Sequence, residues 1–196
     1  MLQSSMNTIA IKKIKRTKEL KLNHIDLRGL NLTTLPKELL EITHITSLAL
    51  SSNNLKDISL LKHFPNIKKL SLTHNQIEDI SVLQHFHKLK YLFLANNRLK
   101  SVEGLSGLKK LKKVVLNTNN IENISPLAQS KSIVFLDLTF NQVKDFTPLK
   151  SLDKLAWLSL SENPIDLEKA KFLRKEMPIL YFYRLDYIRS AILCEI

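Results

Sequence analysis

A 22-residue period runs through most of this 196-residue chain. Ile45, Ile67, Leu89, Leu111, Ile133 and Leu155 stand 22 residues apart, and each opens the same phrase: ITSLALSSNNL, IKKLSLTHNQI, LKYLFLANNRL, LKKVVLNTNNI, IVFLDLTFNQV, LAWLSLSENPI. The shared form is L-x-x-L-x-L-x-x-N-x-L, with Ile, Val or Leu at the apolar slots. A degenerate seventh copy, LNHIDLRGLNL from Leu22 to Leu32, precedes them; it has Leu30 in place of the asparagine and a repeat of 23 residues. Self-similarity at such a period marks a protein built by stacking one short unit, each burying its apolar face against its neighbours.

Each copy reads as a short strand followed by a turn and a tight helical return. In LKYLFLANNRL the alternation at Leu92, Phe93 and Leu94 is a strand with the leucines inward and Phe93 outward. Seven parallel strands at ~4.8 Å make a ridge of roughly 29 Å. The asparagine column is Asn53, Asn75, Asn97, Asn119, Asn141 and Asn163. A buried amide satisfies backbone donors and acceptors that a turn would otherwise leave unpaired, so this column is expected to be a structural ladder. The second half of the repeat has apolar residues every third position (Leu55, Ile58, Leu61, Phe64), which suits 3-10 or one-turn helices. Ser59, Ser81, Ser125 and Thr147 are the expected N-caps, with Pro126 and Pro148 at the first helical position. Ser130 interrupts the apolar column, and a looser spot is expected there.

These motifs resemble the leucine-rich repeat family. The N-x-I-x-x-I-S-x-L second half is similar to the 22-residue class typified by the nuclear phosphatase-one regulatory subunit and by internalin repeats; LTTLP at Leu32–Pro36 looks like the bacterial type. The resemblance covers about Leu22 to Asp166. It implies an α/β solenoid: a curved right-handed superhelix with a parallel concave β-sheet, 3-10 or short helices on the convex side, and a helical C-terminal cap. It further implies that the concave face binds other proteins, without naming the partner. Abundant Lys, Asn and Ile with three Gly point to a bacterial origin.

The expected organisation is a basic cap segment over 1–21, seven repeats over 22–166 and a helical cap over 167–196. A helix from Asp166 to Met177, stopped by Pro178, places Leu167, Ala170, Leu173 and Met177 on one face, and a second amphipathic stretch carries Leu185, Ile188, Ile192 and Ile196. Tyr181, Phe182, Tyr183 and Tyr187 crowd this region, and most of them are expected in the core of that cap. At the other end Ile11 and Ile14 are expected against the first coil. The KKIKRTK run at Lys12–Lys18 reads as a solvated cap face, with a nucleic-acid patch or an anionic-membrane contact as alternatives.

Function is sought at positions the period does not require. The first outward strand column is His24, Ser47, Lys69, Tyr91, Lys113, Phe135 and Trp157, and the second is Asp26, Ala49, Ser71, Phe93, Val115, Asp137 and Ser159. The turn that follows adds Phe140. Early copies present small polar groups; later ones present Tyr91, Phe93, Val115, Phe135, Phe140 and Trp157, with Lys113 and Asp137 among them. The core is made of Leu and Ile, so folding does not need these rings, and clustered exposed aromatics mark protein-binding hot spots. The patch reads as a partner site, as a self-association face giving a weak dimer of an otherwise monomeric chain, or as the seat of the C-terminal cap. A second feature is a basic edge where strands begin: Lys68, Lys69, Lys88, Lys90, Lys109, Lys110, Lys112 and Lys113. Copies bring these charges within a Debye length of about 8–10 Å, which favours an acidic partner.

The formal charge of +12 leaves nucleic acid, anionic membrane or an acidic protein open as partners. Residues 1–110 carry eighteen Lys and Arg against eight Asp and Glu, so the excess sits in the first half. Nucleic acid is the less favoured partner, because the aromatics do not interleave with the densest lysines. A single cysteine, Cys194, excludes an internal disulfide framework, and no apolar run approaches the ~18–20 residues of a membrane span. No secretory apolar segment follows Met1, so a cytoplasmic location, or translocation into a host cell, is expected. His85 and His87 straddle Phe86 with no ligand-spaced Cys or carboxylate nearby, and His24 and Asp26 lack an adjacent nucleophile, so neither metal, cofactor nor enzymatic chemistry is expected. The sequence therefore reads as a non-enzymatic protein-interaction module. The alternatives are a phosphatase-regulatory-type subunit, a host-targeted bacterial effector and a nucleic-acid-associated adaptor.

Overall fold

A computed structural model describes residues 2–164, Glu168 and the pair Tyr181–Phe182. The helix and second amphipathic stretch expected after Asp166 lie outside the described residues, as does Cys194. An α-helix, α1 (Leu2–Glu19), precedes a single parallel sheet of eight strands in sequence order. The strands are β1 (His24–Asp26), β2 (Ser47–Ala49), β3 (Lys69–Ser71), β4 (Tyr91–Phe93), β5 (Lys113–Val115), β6 (Phe135–Asp137), β7 (Trp157–Ser159) and β8 (Tyr181–Phe182). Equivalent residues of successive copies pair directly, as in Lys69 with Tyr91 and Phe135 with Trp157. The ladder does not stop at seven. Tyr181 and Phe182, read from sequence as cap core, pair in parallel with Trp157 and Leu158.

Between strands the chain returns through 3-10 segments at Lys37–Ile42, Ser59–His63, Ser81–His85, Glu103–Leu105, Ser125–Gln129 and Thr147–Ser151. The spacing of three among buried apolar residues is what a helix of three residues per turn requires. Ser59, Ser81, Ser125 and Thr147 are not the caps. They are the first residues of these segments, and the acceptor sits two positions earlier. Asp57 Oδ1 accepts Ser59 N–H at 2.7 Å, and Asp79, Asn123 and Asp145 repeat this for Ser81, Ser125 and Thr147. An Asx side chain bonding its own backbone two residues on makes the tight turn locally.

The core is one continuous column of Leu, Ile, Val and Phe between sheet and 3-10 segments. Ser130 is no looser spot: it is fully buried, and its hydroxyl donates to Leu105 O at 2.7 Å. In the next column, Gly104 lets two coils nest. A β-carbon there would stand 1.9 Å from the carbonyl oxygen of Ile80 in the preceding coil.

The asparagines tie coil to coil. Asn119 Nδ2 donates to Leu116 O of its own coil at 2.9 Å and to Leu94 O of the preceding one at 3.0 Å, while its Oδ1 accepts Leu99 N–H at 3.0 Å. Asn75, Asn97, Asn141 and Asn163 repeat this set. Asn53 serves the first coil, accepting from both Leu30 N and Leu32 N. Each amide thus completes the coil before it. The first coil has no coil before it, so Leu30 at the equivalent site leaves nothing unpaired.

At the N-terminal end α1 closes the stack. Ala10, Ile14 and Thr17 are buried and lie on one helical face, against the Lys37–Ile42 segment and β1. The basic run is the rest of that helix: Lys12, Lys13, Lys15 and Arg16 are exposed around buried Ile14. Lys13 reaches Asp26 O at 2.8 Å, and Lys18 pairs with Glu41 at 2.7 Å. No helix among the described residues is long and apolar enough to cross a membrane.

Candidate functional site

Strand register builds the concave face. Because equivalent residues pair, one column of side chains runs His24, Ser47, Lys69, Tyr91, Lys113, Phe135, Trp157 across seven strands. The rings of Phe135 and Trp157 stack with centroids 3.8 Å apart and planes 2° from parallel. Two upright rings on adjacent strands about 4.8 Å apart need only a small lean to reach contact. Lys113 lies 4.1 Å from the Phe135 ring centroid, which gives the order ammonium, phenyl, indole. Phe93, in the neighbouring column, has Lys69 at 5.9 Å and Lys113 at 6.0 Å from its ring.

Exposure divides the expected site residues. Tyr91 is exposed; Phe93, Lys113, Val115, Phe135, Asp137 and Trp157 are half-buried, since neighbouring strands shade them. Asp137 accepts the N–H of Thr139 at 3.0 Å, so it also shapes the turn. Phe140 is 55 % exposed and has φ = 54°. That left-handed conformation recurs at the same turn position in every full repeat, at Ser52, His74, Asn96, Thr118, Phe140 and Glu162. The turn demands it, and a bulky aromatic is poorly suited to it. Phe140→Asn is therefore expected to raise folding stability by about 0.5–1 kcal/mol, since Asn tolerates this region and little packing is lost; thermal unfolding checks it.

The basic edge separates into two groups. Lys69 and Lys113 belong to the concave column and contact rings. Lys68, Lys88, Lys109, Lys110 and Lys112 are exposed and Lys90 is half-buried; Lys88 donates to Asn66 Oδ1 at 2.6 Å. Two cations therefore alternate with aromatics on the face, as the outward column orders them, and the structure adds their contacts with the rings. Lys69 and Lys113, read from sequence both as outward residues and as edge charges, act here as the former.

At the N-terminal end of the face, Asp26 accepts from Arg28 through Nε at 2.9 Å, NH2 at 2.6 Å and the backbone N–H at 3.0 Å. The guanidinium beside it lowers the Asp26 carboxyl to about 2. Among the described residues, no group of three or more His, Cys, Asp or Glu side chains is placed to hold a metal ion.

Comparison with known proteins agrees with this geometry. The family model described as Leucine Rich repeats (2 copies) matches residues 43–85 and 87–129. A search of the curated proteins found no match. Among solved structures, an internalin of Listeria monocytogenes, internalin F, superposes with a TM-score of 0.79 at 24 % identity, over 88 % of this chain and 54 % of that one. The chain therefore spans about half the length of that internalin. Internalin C2 of the same organism gives 0.75 at 25 % identity over 88 % of this chain and 80 % of that one. A leucine-rich repeat protein of Leptospira interrogans gives 0.73 at 26 % identity over 79 % and 41 %. With the 22-residue period, the parallel sheet and the asparagine ladder already in place, these matches mark the copies within residues 43–129 as leucine-rich repeats and show the chain to be similar in fold to the repeats of bacterial internalins.

Proposed function

We propose that the chain is a protein-binding module that grips its partner on the C-terminal half of the concave face. The observation that carries this is the pre-stacked Phe135–Trp157 pair, with Phe140 exposed in the turn after β6 in a conformation that does not favour a ring. Rings already fixed lose little conformational freedom on binding, so more of their burial is realised as affinity. Tyr91, Phe93 and Val115 extend the apolar surface, and Lys113 and Asp137 supply polar contacts at its border. The lysines at 68, 88, 90, 110 and 112 add positive potential near the strand entrances, which would speed association with an acidic partner and make its rate salt-dependent.

A protein is favoured over nucleic acid because, among the described residues, only two cations reach the rings, and Asp137 stands on the same face. The test is affinity capture with wild type and a Tyr91/Phe135/Trp157 triple alanine variant, followed by titration of the protein lost from the variant. Trp157→Ala alone should weaken that complex by about 2 kcal/mol, roughly thirtyfold. Equal affinity of wild type and W157A would remove the aromatic face from consideration, and capture of nucleic acid in place of protein would overturn the reading.

A further inference from the structure

The N-terminal half of the concave face sinks into an open depression of about 370 Å³. His24, Asp26, Arg28, Ser47, Lys69 and Phe93 line it. Strand register sets His24, Ser47 and Lys69 side by side in one column, with the hydroxyl between imidazole and ammonium. The one carboxylate in the depression is already neutralised: Asp26 is held in two-point contact by Arg28. The Ser71 hydroxyl is occupied by Ser51 Oγ at 2.6 Å. Among the described residues, neither the Ser47 hydroxyl nor the Lys69 ammonium has a hydrogen-bond or ion-pair partner. What remains is a cation, a free hydroxyl and an imidazole on three adjacent strands, with the Phe93 ring as an apolar wall.

We infer that this depression receives an acidic side chain of the bound protein, its carboxylate over Ser47 between His24 and Lys69 and its stem against Phe93. The inference rests on the protein-binding reading above and adds the chemistry of the partner. Charge complementarity selects the occupant: an anion meets an unpaired ammonium, while a cation would face Lys69. Geometry adds a spacing. The centres of the Ser47–Lys69 and Phe135–Trp157 pairs lie four strand spacings apart, about 19 Å at ~4.8 Å per spacing. An extended peptide crossing the strands covers that in about six residues at 3.3–3.6 Å each. The partner should therefore carry an Asp or Glu about six residues from its apolar anchor.

The test uses synthetic peptides with one Trp and one Glu placed three, six or nine positions apart, the gap filled with Ser and Gly, each with a Gln twin. Binding to the full chain is followed through backbone amide shifts of Ser47, Lys69 and Trp157. The expected result is that the Glu peptide with the six-position spacing binds best, about tenfold tighter than its Gln twin. Lys69→Gln should erase that difference, while Lys62→Gln, an equal charge change on the convex side, should leave it. Equal binding of the Glu and Gln peptides to wild type, or equal losses from K69Q and K62Q, would overturn the proposal. A phosphoserine peptide that binds where the Glu peptide does not would overturn the assignment to a carboxylate. Failure of the aromatic reading looks different: W157A would bind the peptides as wild type does, with the Glu–Gln difference intact.

Discussion

Gly104→Ala is expected to destabilise the solenoid by about 3 kcal/mol or more, among the largest losses available from a single added methyl group. The new carbon would meet backbone rather than a side chain: Ile80 O at 1.9 Å, Ile80 C at 2.6 Å and Ser81 Cα at 3.1 Å. A flexible neighbour could rotate away, but these atoms belong to the preceding coil and move only if the two coils part. That would open the core on both sides of a junction where Leu83 and Leu105 are fully buried. Gly107→Ala is the control. It has φ = 70° and no atom within 4 Å of a new β-carbon. Its cost is the left-handed backbone alone, roughly 1–2 kcal/mol. Urea unfolding of both variants separates the effects. A Gly104→Ala loss no greater than that of Gly107→Ala would show that the coils separate freely at this junction.

The second large effect is expected at the asparagine ladder. Asn119→Ala should cost about 2–3 kcal/mol, because it strands one buried backbone donor and removes one of the two amide donors on each of two carbonyls. Leu99 N–H loses its acceptor, while Leu94 O keeps the Asn97 amide and Leu116 O keeps the Asn141 amide. Asn119 is only 7 % exposed, so water does not replace these bonds without opening the turn. An unmet buried donor or acceptor costs about 1–3 kcal/mol. Asn119→Asp should do no better than alanine: a carboxylate accepts from Leu99 N–H but turns a negative charge towards two carbonyl oxygens. Asn163→Ala makes the same deletion at a half-buried site and should cost about half as much. Amide exchange at Leu99 reads the effect locally. Retained protection there in Asn119→Ala, with unchanged unfolding, would show that the ladder is not needed for coil-to-coil cohesion.

How far the sequence could be read depended on whether a residue's role repeats. The inward leucines, the sheet register, the 3-10 returns and the asparagine column recur every 22 residues, so one copy interprets the others. Features outside the repeat were harder. The capping helix α1 buries Ala10, Ile14 and Thr17, a small residue, an isoleucine and a hydroxyl, among five nearby cations, which leaves little apolar periodicity to detect. The turn acceptors were assigned to the serines rather than to Asp57, Asp79, Asn123 and Asp145, because both residue types cap helices and only the geometry says which one bonds. On the concave face, columns were legible but contacts were not. A list of outward residues holds Phe135 and Trp157 without showing that the rings touch. It holds Asp26 and Arg28 without showing that one cancels the other and leaves Lys69 as the unpaired charge nearby.

The backward reach of the asparagine amides sets an order in time as well as in space. Every internal Asn satisfies groups in the coil made just before it, so a coil emerging from the ribosome remains chemically incomplete until the next 22 residues have followed. A nascent chain would carry at each moment one unfinished coil at its growing end, behind which all earlier coils are saturated. Maturation then proceeds in one direction with a lag of one repeat. The first coil can begin the process because its leucine, at the place of the amide, has no predecessor to complete.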